Sequence, residues 1–185
     1  MGLESDTLTR EETISRTPTG SAFLQTFRTL QNRTSLMVPP RKALTLGVAR
    51  AFAPYMSILE VVAPMHVVLR IVGTGHVNRT RLENTGKNWF DLAEPAQHQA
   101  HWTHFQRILR TPCGCIGHYR EKYDRPLLIE AINLPFADDT GRARFIVSTN
   151  VQMNLEELLL RGDARMVPGD IVPQSYIDIG AGIGA

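Results

Sequence analysis

The apolar positions change period along the chain, and each change marks an element. Phe23, Leu24, Phe27 and Leu30 recur at helical spacing, which predicts an amphipathic helix over residues 21–32. Pro39 and Pro40 interrupt it. Leu44, Leu46, Val48, Ala49 and Phe52 predict a second helix over 42–53, stopped by Pro54. Residues 56–63 and 66–73 are then dense in Ile, Val and Leu. The Pro64-Met65 break between them reads as the tight turn of a strand pair, and Gly73-Thr74-Gly75 closes the second strand. Residues 76–95 are polar and fit short helical turns, anchored by Trp89, Phe90 and Leu92. Residues 96–110 predict a helix with Trp102, Phe105, Ile108 and Leu109 along one side.

Three more strands are expected, over 115–123, 126–134 (ended by Pro135) and 142–152. Asp138-Asp139-Thr140-Gly141 supplies the hairpin turn between the last two, with Gly141 free to take a positive φ. Asn154 and Glu157 form a capping box for a closing helix that Gly162 would end. The tail from Met166 reads as loop, and its last stretch, 171–185, carries the single charge of Asp178. Two helices, two strands, a helical crossover, three strands and a helix make an α+β chain, with an antiparallel sheet packing one face on the helices.

Composition narrows the field without naming an activity. The 185 residues are 43% hydrophobic and 21% charged, within the range of globular proteins, and fit one domain with some extra chain. Twenty Lys and Arg against 18 Asp and Glu give a net charge of +2, with no basic run, so nucleic acid is not an expected partner. The first twenty residues are polar and rich in Ser, Thr and Glu, with neither the basic nor the apolar stretch of a signal peptide. No apolar run is long enough for a membrane span, so a soluble, cytoplasmic protein is expected. Cys113 and Cys115 are too close in sequence for an unstrained disulfide, which favours thiols in a reducing compartment.

The most chemical-looking cluster is His98-x-x-His101-x-x-His104. On a helix, neighbours at i and i+3 could share a metal, or one imidazole could ligate haem iron. The competing reading is a solvated helix with histidines at the core boundary, and it is preferred because metal sites need a full donor set with outer support. Cys113, Cys115 and His118 could add ligands, but C-x-C is not the usual zinc spacing. Glu60 and Glu130 each interrupt an apolar strand. If buried, they must be paired or raised in pKa, which would mark a site; otherwise they face outward. Arg70 has the same ambiguity. Tyr119 and Tyr123 share one strand face, which periodicity alone assigns to neither side. Glycine-rich phosphate loops, G-x-S-x-G and H-E-x-x-H patterns are absent.

Three phrases carry a family resemblance. They are Val68-Leu69-Arg70-Ile71-Val72-Gly73-Thr74, then Asn84-Thr85-Gly86-Lys87 leading into Trp89-Phe90-Asp91-Leu92, then Ile129-Glu130-Ala131-Ile132-Asn133-Leu134-Pro135-Phe136. In order and spacing they resemble the PAS domain, and within it the PAS_5 family of short, mostly single-domain bacterial PAS proteins. The likeness covers 44–152; the family's usual opening motif is not found before Leu44. The resemblance implies a five-stranded antiparallel sheet with helices over one face. It divides the chain into a flexible polar arm (1–20), an N-terminal helical extension (21–43), a PAS-like domain (44–153) and a C-terminal helix with low-charge tail (154–185).

By the same resemblance, the protein is expected to be a sensory or adaptor module that binds a small molecule, a partner protein, or both. With no effector attached it would act in trans, as a homodimer or through a signalling partner. The residues expected to line its pocket are Trp102, His104, Phe105, His118, Tyr119, Glu130 and Phe145. No cofactor is assigned. A haem- or metal-binding PAS sensor, with His98, His101 and His104 as ligands, is one alternative. The other is a small enzyme or apolar-ligand carrier with His104, His118 or Glu130 as acid or base.

Overall fold

The computed structural model describes residues 17–121, 127–153 and 175–183. The first helix, α1 (Pro18–Thr34), starts three residues earlier than its apolar pattern, because Thr17 caps it. The Thr17 hydroxyl accepts from the Gly20 amide at 3.0 Å, and Pro18 fills the first turn, where no amide is needed. Phe23, Leu24, Phe27 and Leu30 are all buried. The expected second helix over 42–53 is replaced by three short pieces. They are a 3-10 turn (Arg41–Ala43), a single helical turn α2 (Leu46–Ala49) and another 3-10 turn (Ala53–Tyr55). Leu44 leaves helical geometry at ψ 76°, and Thr45 then starts a new helix by capping the Val48 amide.

Strands β1 (Met56–Ala63) and β2 (His66–Val72) form the expected hairpin, with Met65 at φ 56° in its turn. Helix α3 (Thr74–Thr80), 3-10 turns at Trp89–Asp91 and Pro95–Gln97, and helix α4 (His98–Arg110) form the crossover. Strands β3 (Cys113–Glu121), β4 (Leu127–Ala137) and β5 (Ala143–Gln152) follow. The β4–β5 turn is as expected: Asp138 Oδ1 accepts from the Thr140 and Arg142 amides, and Gly141 sits at φ 83°.

The sheet is antiparallel throughout. A sixth strand, β6 (Ser175–Asp178), completes it in the order β2-β1-β5-β4-β3-β6. Two features extend the expected strand pattern. Strand β4 runs through Pro135, where it was expected to stop. Its pairing with β3 ends at Asn133, so Pro135 lies where β4 has a neighbour on one side only and a missing amide is tolerated. The tail, expected to be loop, supplies β6, which pairs with β3. The capping box at Asn154 and Glu157 lies outside the described residues.

The helices expected over one face are there, and the N-terminal extension covers the other. α1 packs with Phe52, Ile58, Ile116, Ile132, Leu134, Phe136 and Val147 on one face. α4 and the Trp89–Asp91 turn pack on Leu59, Val67, Leu69, Cys115 and Ile146 on the opposite one. The β2 edge is occupied. Along β2 the Asn84–Asn88 loop takes over the ladder: the Gly86 amide donates to the Leu69 carbonyl at 2.7 Å, the Leu69 amide to the Lys87 carbonyl at 3.0 Å, and the Val67 amide to Asn88 Oδ1 at 2.9 Å. At the other end the four-residue β6 is the outer strand, pairing with Cys113–Ile116 of β3. A covered edge and a very short one both limit the unpaired backbone that invites strand-to-strand aggregation.

Candidate functional site

Strand alternation and register sort the seven pocket candidates onto two faces. Ile116 and Ile132 face α1, so His118 and Glu130, two residues along and paired with each other, face α1 as well. Phe145 lies on that face too, with the Arg41 guanidinium 5.7 Å from its ring centre. Tyr119 falls on the α4 face. Trp102, His104 and Phe105 are on α4 itself, with Phe105 buried against the sheet. The structure therefore brings Trp102, His104, Phe105 and Tyr119 to one side and separates them from His118, Glu130 and Phe145.

On the α1 side, Glu130 is only 1% exposed. Its Oε1 accepts from the Thr17 hydroxyl at 2.5 Å and its Oε2 lies 3.6 Å from His118 Nε2. Thr17 caps α1, so the carboxylate sits beside the positive end of that helix. A buried carboxylate needs such partners, and here they include the start of the N-terminal helix and a sheet histidine. The arrangement fastens α1 to β4 and β3. Glu60, the other strand carboxylate, is held by Arg70 at 2.6 Å and Arg144 at 2.9 Å, an ion-pair cluster across neighbouring strands.

On the α4 side, aromatic and imidazole rings interlock. Trp89 meets Phe105 at 5.2 Å and Phe90 at 5.4 Å edge-on, and Phe90 meets Trp102 at 6.3 Å. The three histidines each find a different neighbour. His98 packs on Phe90, His101 on Trp89, and His104 Nδ1 pairs with the Tyr176 hydroxyl at 3.2 Å. They do not converge, and among the described residues no group of three or more His, Cys, Asp or Glu could hold a metal ion. Burial holds the His104 imidazole down at about 4, helped by His101 and Arg107. Its Nε2 is buried and finds no hydrogen-bond partner among the described residues. Burial pushes the Cys115 thiol up to about 12 and raises Cys113, so neither is an activated nucleophile.

Beyond α4, polar side chains gather on the same sheet face. The Tyr119 hydroxyl donates to Asn150 Oδ1 at 3.2 Å, and Asn150 Nδ2 donates to Ser148 Oγ at 3.1 Å. Arg79 of α3 donates to the Asn150 carbonyl at 3.1 Å and pairs with His76 Nδ1 at 2.9 Å. Sequence reasoning found Tyr119 but missed Ser148, Asn150, His76 and Arg79. The alternation of β5 held a usable signal: Val147 and Thr149 face α1, so Ser148 and Asn150 are the polar residues turned toward the crossover. A surface groove of about 280 Å³ lies elsewhere, between the outer side of α1 and Val48.

Comparison with known proteins adds a faint likeness. No family model and no curated protein matches the chain. Among solved structures, an RNA-binding light-oxygen-voltage receptor aligns at 16% identity and a TM-score of 0.45, covering 66% of this chain and 36% of the receptor. A single-substitution variant of RsLOV aligns at 13% identity and a TM-score of 0.43, covering 60% of this chain and 69% of that one. The chain thus spans about a third of the first of these proteins. Among the described residues, no helix is long and apolar enough to cross a membrane.

Proposed function

We propose that the chain is a PAS-type sensory module of the PAS_5 kind, which binds a small molecule between the α3/α4 crossover and the sheet. The observation that carries this reading is the composition of that one face. An aromatic wall from Trp89, Phe90, Trp102 and Phe105 adjoins a linked polar set from Tyr119, Ser148, Asn150 and Arg79. Apolar walls with a few convergent polar groups are how proteins hold planar organic ligands. The ligand would stack against the wall and exchange hydrogen bonds with the polar set. Output would pass in trans, to a partner protein or through a homodimer. Phe23, Leu24, Phe27 and Leu30 are spent on α1's own sheet, so a dimer must use another surface.

Native mass spectrometry of the purified protein tests the reading. The expected result is a mass above that of the 185-residue chain by one small organic molecule, together with a dimer. A chain that carries no molecule, and that no planar ligand stabilises in a thermal-shift panel, contradicts it. The reading of His118 and Glu130 as enzymatic acid and base has one observation in its favour, their 3.6 Å approach. Against it, the Glu130 carboxylate is buried and engaged by Thr17.

A further inference from the structure

We infer that β6 is a clip that couples α1 to α4 around the edge of the sheet. The two helices lie on opposite faces, and the four-residue strand between them is gripped by both. From α1, Arg28 Nη2 donates to the Asp178 carbonyl at 2.8 Å, and Gln31 Nε2 donates to the Ile179 carbonyl at 2.9 Å. Arg28 Nη1 also donates to Gln31 Oε1 at 2.8 Å, so the two α1 side chains act as one unit. From α4, the Arg107 guanidinium stacks 3.9 Å from the centre of the Tyr176 ring, and His104 pairs with the Tyr176 hydroxyl. Neighbouring residues of β6 thus answer to different helices.

The seat for this strand is built into β3. Gly114 is paired with Ile177, and a Cβ at Gly114 would lie 2.8 Å from Leu134 Cδ2 and 3.2 Å from Ile177 Cβ. The absence of a side chain lets Ile177 lie flat over β3 and reach the α1 core, where it is 4% exposed. After the strand, Asp178 Oδ1 accepts from the Gly180 amide at 2.8 Å and the Gly182 amide at 3.0 Å, which turns the chain back so that Ile179 is buried as well. Side chains alternate across the strand, so Tyr176 reports the α4 face and Ile177 the α1 face. A shift of α4 that displaces Tyr176 must move the carbonyls that hold Arg28 and Gln31. A shift of α1 must act back on α4 by the same route, because coupling between two sites is reciprocal. These contacts hold whatever ligand the crossover face takes.

Hydrogen exchange read by mass spectrometry on the full chain tests the clip with two substitutions at its opposite ends. Tyr176→Ala removes the α4 grip, and Arg28→Ala removes the main α1 grip. Each is expected to speed exchange roughly tenfold at the far helix: Tyr176→Ala in the second half of α1, and Arg28→Ala in the second half of α4. The amides of β5 at the sheet centre stay unchanged and show that the fold is intact. Thr29→Ala, on the exposed side of α1, changes neither far helix. If Tyr176→Ala perturbs the whole domain, Tyr176→Phe removes only the hydroxyl, and a smaller change of the same sign in α1 is expected. Effects confined to the mutated side, for both substitutions, overturn the inference.

Discussion

The two faces of the sheet solve the same packing problem with different side chains. Under α1 the filling is almost wholly apolar. Phe27 meets Phe136 edge-on at 5.4 Å, Phe23 meets Phe52 at 4.9 Å, and all four rings are at most 1% exposed. The buried carboxylate there, Glu130, is engaged in holding the helix start. Under α3 and α4 two indoles and the imidazoles join the rings, Trp89 and Trp102 are only partly buried while Phe90 and Phe105 are buried, and polar groups lie on the same face. On the first face apolar rings do nearly all the packing. On the second, polar groups stand beside the rings, and that is where the proposed function places the ligand.

The largest expected effect is on the closed face. Phe27→Ala leaves a hole between α1 and Phe136 and should cost about 3–5 kcal/mol in urea denaturation. Trp102→Ala, on a half-buried wall of the open face, should cost less than half as much. Equal losses would erase the distinction between the faces. Next comes acid sensitivity. The native His104 imidazole titrates at about 4, below its ordinary value near 6.5, so the unfolded chain binds the proton first. Stability is therefore full above pH 6.5 and falls as pH drops toward 4, by up to about 3 kcal/mol from this residue. His104→Phe should flatten that slope in thermal melts run across this range.

A smaller effect of opposite sign is expected at Thr149, which is 0% exposed on the α1 face with its hydroxyl unpartnered among the described residues. Thr149→Val removes a buried, unsatisfied polar group at almost no change of volume and should stabilise by about 1 kcal/mol. The smallest is Arg70→Ala. Its ion pair with Glu60 involves a half-exposed guanidinium, and Arg144 remains as a partner, so the loss should stay below about 1 kcal/mol.

The elements are more legible in the sequence than the site is. Helix α1 shows because four large apolar residues recur at one period, and the β4–β5 hairpin because Asp138 and Gly141 fix its turn chemically. The apolar pattern over 42–53 points to one helix because it ignores Thr45, whose capping side chain restarts the backbone. Strand β6 is invisible because four residues show no period, and its pairing is decided by Gly114 on a distant strand. Strand parity hides the candidate site. His118 and Tyr119 are adjacent in sequence, so alternation puts them on opposite faces, and only the register with β4 shows which face each takes. Glu130 stands out as a carboxylate in an apolar strand. That its partner is the cap of the N-terminal helix depends on a contact 113 residues away, which no local pattern encodes.

The proposed function places ligand binding on the crossover face and leaves the α1 face to stability. Thr149 and Asn150 are consecutive residues of β5 that point to opposite sides. Native mass spectrometry of Thr149→Val and Asn150→Leu, prepared side by side with the wild-type chain, compares the faces at nearly one point. The expected result is that the Thr149→Val protein retains the wild-type small molecule and that Asn150→Leu loses it while remaining folded. Retention by Asn150→Leu, or loss from Thr149→Val, would contradict the claim.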